Sequence, residues 1–168
     1  MIFIGYQGVG KSTLAYTNIN FIDLESSNFW IDGKRDEEWY KPYCKIADNL
    51  SHQGYHVFLS SHKVVRDYLK EHTNQATMIV LPDLSLKDKW IEKLKKRYEV
   101  DPSDKNYKAY MNAKECYEEN IIDLMNDKYD HITISSMDYN LENILETPIQ
   151  LNSYISFFCR GNRSFVDK

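Results

Sequence analysis

Apolar residues recur along the chain as short runs alternating with stretches at helical spacing. Ile2-Phe3-Ile4, Phe21-Ile22, Val57-Phe58-Leu59, Met78-Ile79-Val80-Leu81 and Ile132-Thr133-Ile134 are runs of strand length. Together they predict strands over Met1 to Ile4, Asn20 to Leu24, His56 to Leu59, Thr77 to Leu81 and His131 to Ile134. Between them, Trp39, Tyr43, Ile46, Ala47 and Leu50 recur at three- and four-residue intervals, with Pro42 in the first turn and Gly54 past the end. That pattern is a helix with its start and stop signals in place. Lys11 to Thr17, the stretch carrying Val64, Val65, Tyr68 and Leu69, and that carrying Leu86, Trp90 and Leu94 read as further helices. Asp101-Pro102 opens a long one, with Tyr107, Tyr110, Tyr117, Ile121 and Leu124 on its face, and Leu141 to Leu145 predicts a short last helix.

Five strands separated by helices call for an α/β fold, a parallel sheet covered on both faces. The 168 residues suit one such domain. No repeat or linker divides the chain, so residues 1–146 are expected to form the body. Residues 147–168 form a C-terminal extension whose Tyr154, Ile155, Phe157 and Phe158 are too apolar for a solvated tail. Docking on the body, or on a partner such as a second copy of the chain, is expected.

Composition narrows the class. A net charge of -4 excludes a broadly cationic nucleic-acid coat while allowing a local basic groove. No run approaches the roughly 20 apolar residues that span a bilayer. The start, Met1-Ile2-Phe3-Ile4-Gly5, has neither the basic region nor the cleavage site of a signal peptide. Cys44, Cys116 and Cys159 share no metal-type spacing and read as three free thiols. The expectation is a cytoplasmic domain.

Half of the six glycines fall within six positions, and they carry the chemistry. Gly5-Tyr6-Gln7-Gly8-Val9-Gly10-Lys11-Ser12 fits G-x-x-x-x-G-K-[ST], the phosphate-binding P-loop. Backbone N–H groups wrap a polyphosphate in such a loop, and glycines leave room for the approach. Lys11 adds positive charge, and the helix that follows turns its positive end to the same anion. The Ser12 hydroxyl has the place that completes Mg²⁺ coordination. Gly5, Gly8, Val9, Gly10, Lys11, Ser12 and Thr13 are therefore the candidate nucleotide-binding set.

With this motif the chain resembles the nucleoside and nucleotide kinase branch of the P-loop proteins, related to adenylate and thymidylate kinases. The loop with Thr13 and the strand–helix rhythm of the first ~145 residues carry the resemblance. The Tyr-, Asn- and Lys-rich composition also resembles proteins of AT-rich bacteria and their phages. The resemblance implies a P-loop NTPase fold with five parallel strands in the order 2-3-1-4-5. It also implies ATP and Mg²⁺ as cofactors, and γ-phosphoryl transfer to a small acceptor, first of all a nucleoside monophosphate. Two alternatives stand beside it: transfer to a hydroxyl of a small molecule or nucleic-acid end, and a regulator that binds nucleotide without transfer.

Ligands of open α/β sheets bind at the carboxyl ends of the strands. That rule nominates Asp23 and Glu25 after strand two, Ser60 to His62 after strand three, and Asp83 after strand four. Asp23 is read as metal positioner with Ser12, or as base toward a hydroxyl, with Glu25 second. Arg66, one turn beyond His62, suits bidentate contact with an acceptor phosphate. Lys34 and Arg35 lie in the segment expected to fold over the acceptor. In the basic run Lys87 to Arg97, part of a lid-like segment at about 87–110, Arg97 is the expected lid arginine that stabilises transferred charge. The sequence departs from the family in two places. Phe58-Leu59-Ser60-Ser61-His62 lacks the Asp that often ends strand three, and no N-K-x-D follows a later strand, which disfavours a GTPase.

Overall fold

The computed structural model describes residues 1–31 and 34–161, without the side chains of 30, 31 and 156–161. Phe157, Phe158 and Cys159 therefore lie outside the described side chains, and Asp32 and Gly33 outside the described residues.

Five strands form one parallel sheet: β1 (Ile2–Gly5), β2 (Phe21–Asp23), β5 (His56–Ser60), β6 (Thr77–Pro82) and β7 (His131–Ile134). Their spatial order is β2-β5-β1-β6-β7. Counting these five in chain order gives 2-3-1-4-5, the order expected. The central strand is apolar end to end because helices cover both of its faces. Ile2, Phe3 and Ile4 are buried, as are their neighbours Val57, Phe58 and Leu59 on one side and Ile79, Val80 and Leu81 on the other. In register, Phe3 faces Phe58 and Met78. At the edge, β7 alternates exposed and covered positions and seals only Ile134.

Among the described residues six helices surround the sheet: α1 (Lys11–Thr17), α2 (Tyr40–His52), α3 (Lys63–His72), α4 (Lys87–Val100), α5 (Asp104–Met125) and α6 (Leu141–Gly161). Tyr43, Cys44, Ala47 and Ser51 form the buried stripe of α2, and Ser103 caps α5 by accepting from the Asn106 N–H. The backbone of α5 breaks at Cys116, where φ is -129° and ψ 22°. Cys44 and Cys116 are free thiols. Among the described residues no helix is long and apolar enough to cross a membrane.

Two features differ from the sequence reading. Lys34 and Arg35, expected only to lie in a segment that folds over the acceptor, form a two-residue strand, β4 (Lys34–Arg35), paired antiparallel with β3 (Trp30–Ile31). Two residues are too few for a period-2 pattern to register. The last helix is also longer than predicted. It runs through Pro148, whose fixed φ suits a helix even though the ring removes one hydrogen bond. Leu141 and Leu145 bury against the body, whereas Leu151, Tyr154 and Ile155 of the extension remain exposed.

An ion network ties α3 to the end of α5. Arg66, almost fully buried, donates to the carboxylates of Asp123 and Asp127, and Lys70 reaches the same Asp127 oxygen from 3.0 Å. Burial alone would raise the Asp127 pKa. Lys70, the Tyr129 N–H and Arg66 outweigh it and hold the group below the usual carboxylate range. A depressed folded pKa stabilises above the unfolded value of about 3.9 and stops doing so as pH falls through the folded value. Asp127→Asn is therefore expected to cost about 3 kcal/mol at neutral pH. In denaturant titrations its deficit should close progressively below about pH 4.

Candidate functional site

The chain leaves β1 at the point where the sheet order changes direction, with β5 on one side and β6 on the other. Such a switch point opens a crevice at the carboxyl ends of the strands. Gly5 to Gly10 fill this turn, and Gly8 and Gly10 adopt positive φ of 84° and 99°. Gly5 is needed for space. A Cβ there would lie 2.7 Å from Cδ of Lys11, whose stem runs over it so that Nζ reaches the Gly5 carbonyl at 3.3 Å. The lysine is thereby folded into the loop.

Asp23 ends β2 beside α1 and accepts a hydrogen bond from the Ser12 hydroxyl at 2.5 Å. Burial raises the Asp23 pKa above the ordinary carboxylate value, and the Lys11 charge and the Ser12 bond oppose that shift. Burial lowers the Lys11 pKa, and the carboxylates of Asp23 and Glu25 act the other way. Both charges are thus held in partly desolvated places where an added anion and cation find strong fields. The hydroxyl of Tyr43 fixes this end of the sheet. It donates to the Leu24 carbonyl at 2.7 Å and accepts from the Ser60 N–H at 2.8 Å, pinning the end of β2 to the end of β5.

A cleft of about 940 Å³ opens above these groups. Of the residues nominated from sequence it gathers Gly5, Gly8, Lys11, Ser12, Asp23, Glu25, Arg35, Ser60, Ser61, His62, Arg66 and Arg97 in its walls. Val9, Gly10, Thr13, Lys34 and Asp83 are not among them. The Val9 side chain is buried in the core, and Thr13 is exposed on α1. Asp83 turns away to cap a 3₁₀ turn (Leu84–Leu86) by accepting from the Ser85 N–H. Arg35 lies 4.0 Å over the Trp39 ring and donates to the Ser26 carbonyl at 2.7 Å, and His62 packs edge-on against the same ring. Arg97 is exposed at the end of α4. Arg66 reaches the wall but its fork is engaged by Asp123 and Asp127, so an acceptor phosphate would have to displace a carboxylate to use it.

Sequence reasoning missed the α5 wall. Asp104, Lys105, Lys108, Asn112, Asn120 and Asp123 line the cleft, and Lys105 pairs with Glu25 across its mouth. Their signal was a run of polar residues at helical spacing flanking the buried Ala113, Tyr117, Ile121 and Leu124. Gln7, in the loop itself, donates to the Ala109 carbonyl and to Asn112 Oδ1, both at 3.0 Å, joining the loop to this wall.

The oxygen donors Ser12 Oγ and Asp23 Oδ2 suit Mg²⁺, a hard ion held by few protein oxygens together with substrate phosphates and water. Among the described residues no group of three or more His, Cys, Asp or Glu side chains is placed to hold a metal unaided. The fold is thus a P-loop α/β domain with the loop at the switch point of a 2-3-1-4-5 parallel sheet.

No family model matches the chain, and no curated protein matches it. Among solved structures it is similar to an uncharacterized protein from Eubacterium ventriosum, with 14% identity over 91% of this chain and 97% of that one and a TM-score of 0.46. It is also similar to the shikimate kinase from Bacteroides thetaiotaomicron, with 15% identity over 92% and 97% and a TM-score of 0.46.

The seating of Lys11 against Gly5 can be tested alone. Gly5→Ala should displace the lysine stem and weaken binding of inorganic tripolyphosphate at least about tenfold by calorimetry, while the circular dichroism spectrum is unchanged.

Proposed function

We propose that the chain is a phosphotransferase that moves the γ-phosphoryl group of ATP, with Mg²⁺, to a small acceptor bound between β2, β5 and α5. The observation that carries this reading is the joining of Lys11, Ser12 and Asp23 at the mouth of the P-loop, under a cleft large enough for two small molecules. A loop for polyphosphate explains the cationic end of the cleft. The space beyond it, walled by Ser26, Ser27, Arg35, Ser60, Ser61 and His62, is left for an acceptor.

In this reading the loop amides and Lys11 hold the donor β- and γ-phosphates, and Arg97 meets the charge that spreads over the γ-phosphoryl oxygens. Ser12 and Asp23 would hold Mg²⁺, which neutralises phosphate charge when bound. The acceptor oxygen forms the new bond to the γ-phosphorus as the bond to the β-phosphate oxygen breaks, so ADP leaves with the negative charge. Positioning and charge supply most of the rate in such a transfer.

Two acceptor classes have separate support. The hydrogen bond from Ser12 supports metal positioning by Asp23, which suits a nucleoside monophosphate whose phosphate oxygen is already a nucleophile. The engagement of Arg66 by two carboxylates removes the arginine expected to grip that phosphate, which favours an acceptor hydroxyl with Asp23 or Glu25 taking its proton. A regulator that retains the loop without transfer is the third outcome.

Lys11→Ala should abolish ATP binding by calorimetry in a folded protein, and unchanged titration would defeat the P-loop assignment. Asp23→Asn separates the acceptors in coupled assays against nucleoside monophosphates and hydroxyl compounds. A metal-positioning defect is partly restored by added Mg²⁺. Loss of a base costs about 10²–10⁴-fold in rate, persists at saturating Mg²⁺ and leaves ATP affinity intact. ATP binding without acceptor-dependent turnover in the parent protein would identify the regulator.

A further inference from the structure

The basic helix α4 has a second relation to the P-loop besides carrying Arg97 toward the cleft. Its buried face, Trp90 and Leu94, packs on the outer side of the loop, so close that a Cβ on Gly8 would lie 3.0 Å from Leu94 and 3.2 Å from Trp90 Nε1. Trp90 Nε1 donates to the Gln7 carbonyl at 2.9 Å. From the segment after β7, the Tyr139 hydroxyl donates to the Val9 carbonyl at 3.0 Å. Lys93 completes the group, donating to the Tyr139 oxygen at 3.0 Å with its ammonium 4.4 Å from the Trp90 ring centre.

The two carbonyls so captured decide where the loop's amides point. In a trans peptide the carbonyl and the N–H of the next residue project to opposite sides, and every peptide bond described is trans. Capturing the Gln7 carbonyl from outside sets the Gly8 N–H to the opposite side, and capturing the Val9 carbonyl does the same for Gly10. The amides of Gly8 and Gly10 make no hydrogen bond among the described residues, whereas the intervening Val9 N–H is directed to the Tyr6 carbonyl. The arrangement leaves free the two donors that an anion in the loop would need. Positive φ at both glycines makes these peptide planes easy to turn, so an external restraint has something to restrain.

We infer that Trp90 and Tyr139 are positioning residues of the phosphate cradle, two hydrogen-bond donors from separate elements that hold the Gln7 and Val9 carbonyls outward so that the Gly8 and Gly10 amides face a bound polyphosphate. The inference rests on the P-loop reading of the proposed function and extends it. Lys93 serves the clamp by directing the Tyr139 hydroxyl, its lone pair occupied by the ammonium, toward the carbonyl. A cradle organised before the ligand arrives loses less on binding.

The test uses Tyr139→Phe and Trp90→Phe, which keep an aromatic ring and remove the donor, with Lys11→Ala as reference. Titration calorimetry with Mg-ATP and with inorganic tripolyphosphate is compared with the thermal midpoint of the ligand-free proteins. Each donor lost should raise both dissociation constants about 3- to 10-fold. Tyr139→Phe, which keeps the ring in place, should shift the Gly10 amide resonance in the ligand-free protein. A packing role alone would lower the midpoint with both dissociation constants and the Gly10 resonance unchanged, and that result overturns the inference. If Trp90→Phe fails to fold, Tyr139→Phe decides. Unchanged affinity in the Phe variants while Lys11→Ala abolishes binding defeats the clamp and leaves the P-loop reading standing. Unchanged affinity in all three defeats both.

Discussion

A lysine ammonium held in a partly desolvated turn is the constraint around which this molecule is arranged. Lys11 lies over the loop where Gly5 has no side chain, and burial there lowers its pKa, a shift that needs nearby carboxylates to oppose it. Asp23 meets that need from the end of β2, and Ser12 holds Asp23 in place. The rest of the site follows from keeping two opposite charges close to one another in a crevice without letting them collapse together.

The fold supplies rigidity where this arrangement demands it. The central strand, apolar on both faces, fixes the start of the loop to within its hydrogen-bonded neighbours β5 and β6. Tyr43 fastens the end of β2 to that of β5, and Gln7 fastens the loop to α5. Where the charges are fully buried, as at Arg66 and Asp127, they serve to join helices. Exposed pairs such as Lys105 with Glu25, at the mouth of the cleft, contribute little to stability by comparison.

The parts legible in the sequence are those encoded by neighbours. Val57-Phe58-Leu59 and Met78 to Leu81 announce strands covered on both faces because no polar residue interrupts them, and the eight residues from Gly5 to Ser12 announce a phosphate loop. What escaped depends on residues far apart in the chain. Arg66 reads as a phosphate-binding arginine until Asp123 and Asp127, 57 and 61 positions away, close on it. The partner of Glu25, Lys105, is 80 positions on. Trp90 and Leu94 give a helix face in sequence, but nothing local says that the face meets Gly8. The course of α6 through Pro148 was hidden for another reason. Proline is a strong stop signal, and here the helix continues despite the lost bond because Leu145 before it and Ile149 after it both pack on the body.

The central claim is that the loop at the end of β1 binds polyphosphate. Calorimetric titration of the intact protein with ATP in the presence of Mg²⁺, set against adenosine under the same conditions, tests it most directly. The account predicts saturable ATP binding that is lost when the phosphates are absent. Equal affinity for adenosine and ATP, or no binding of ATP at all, would contradict it.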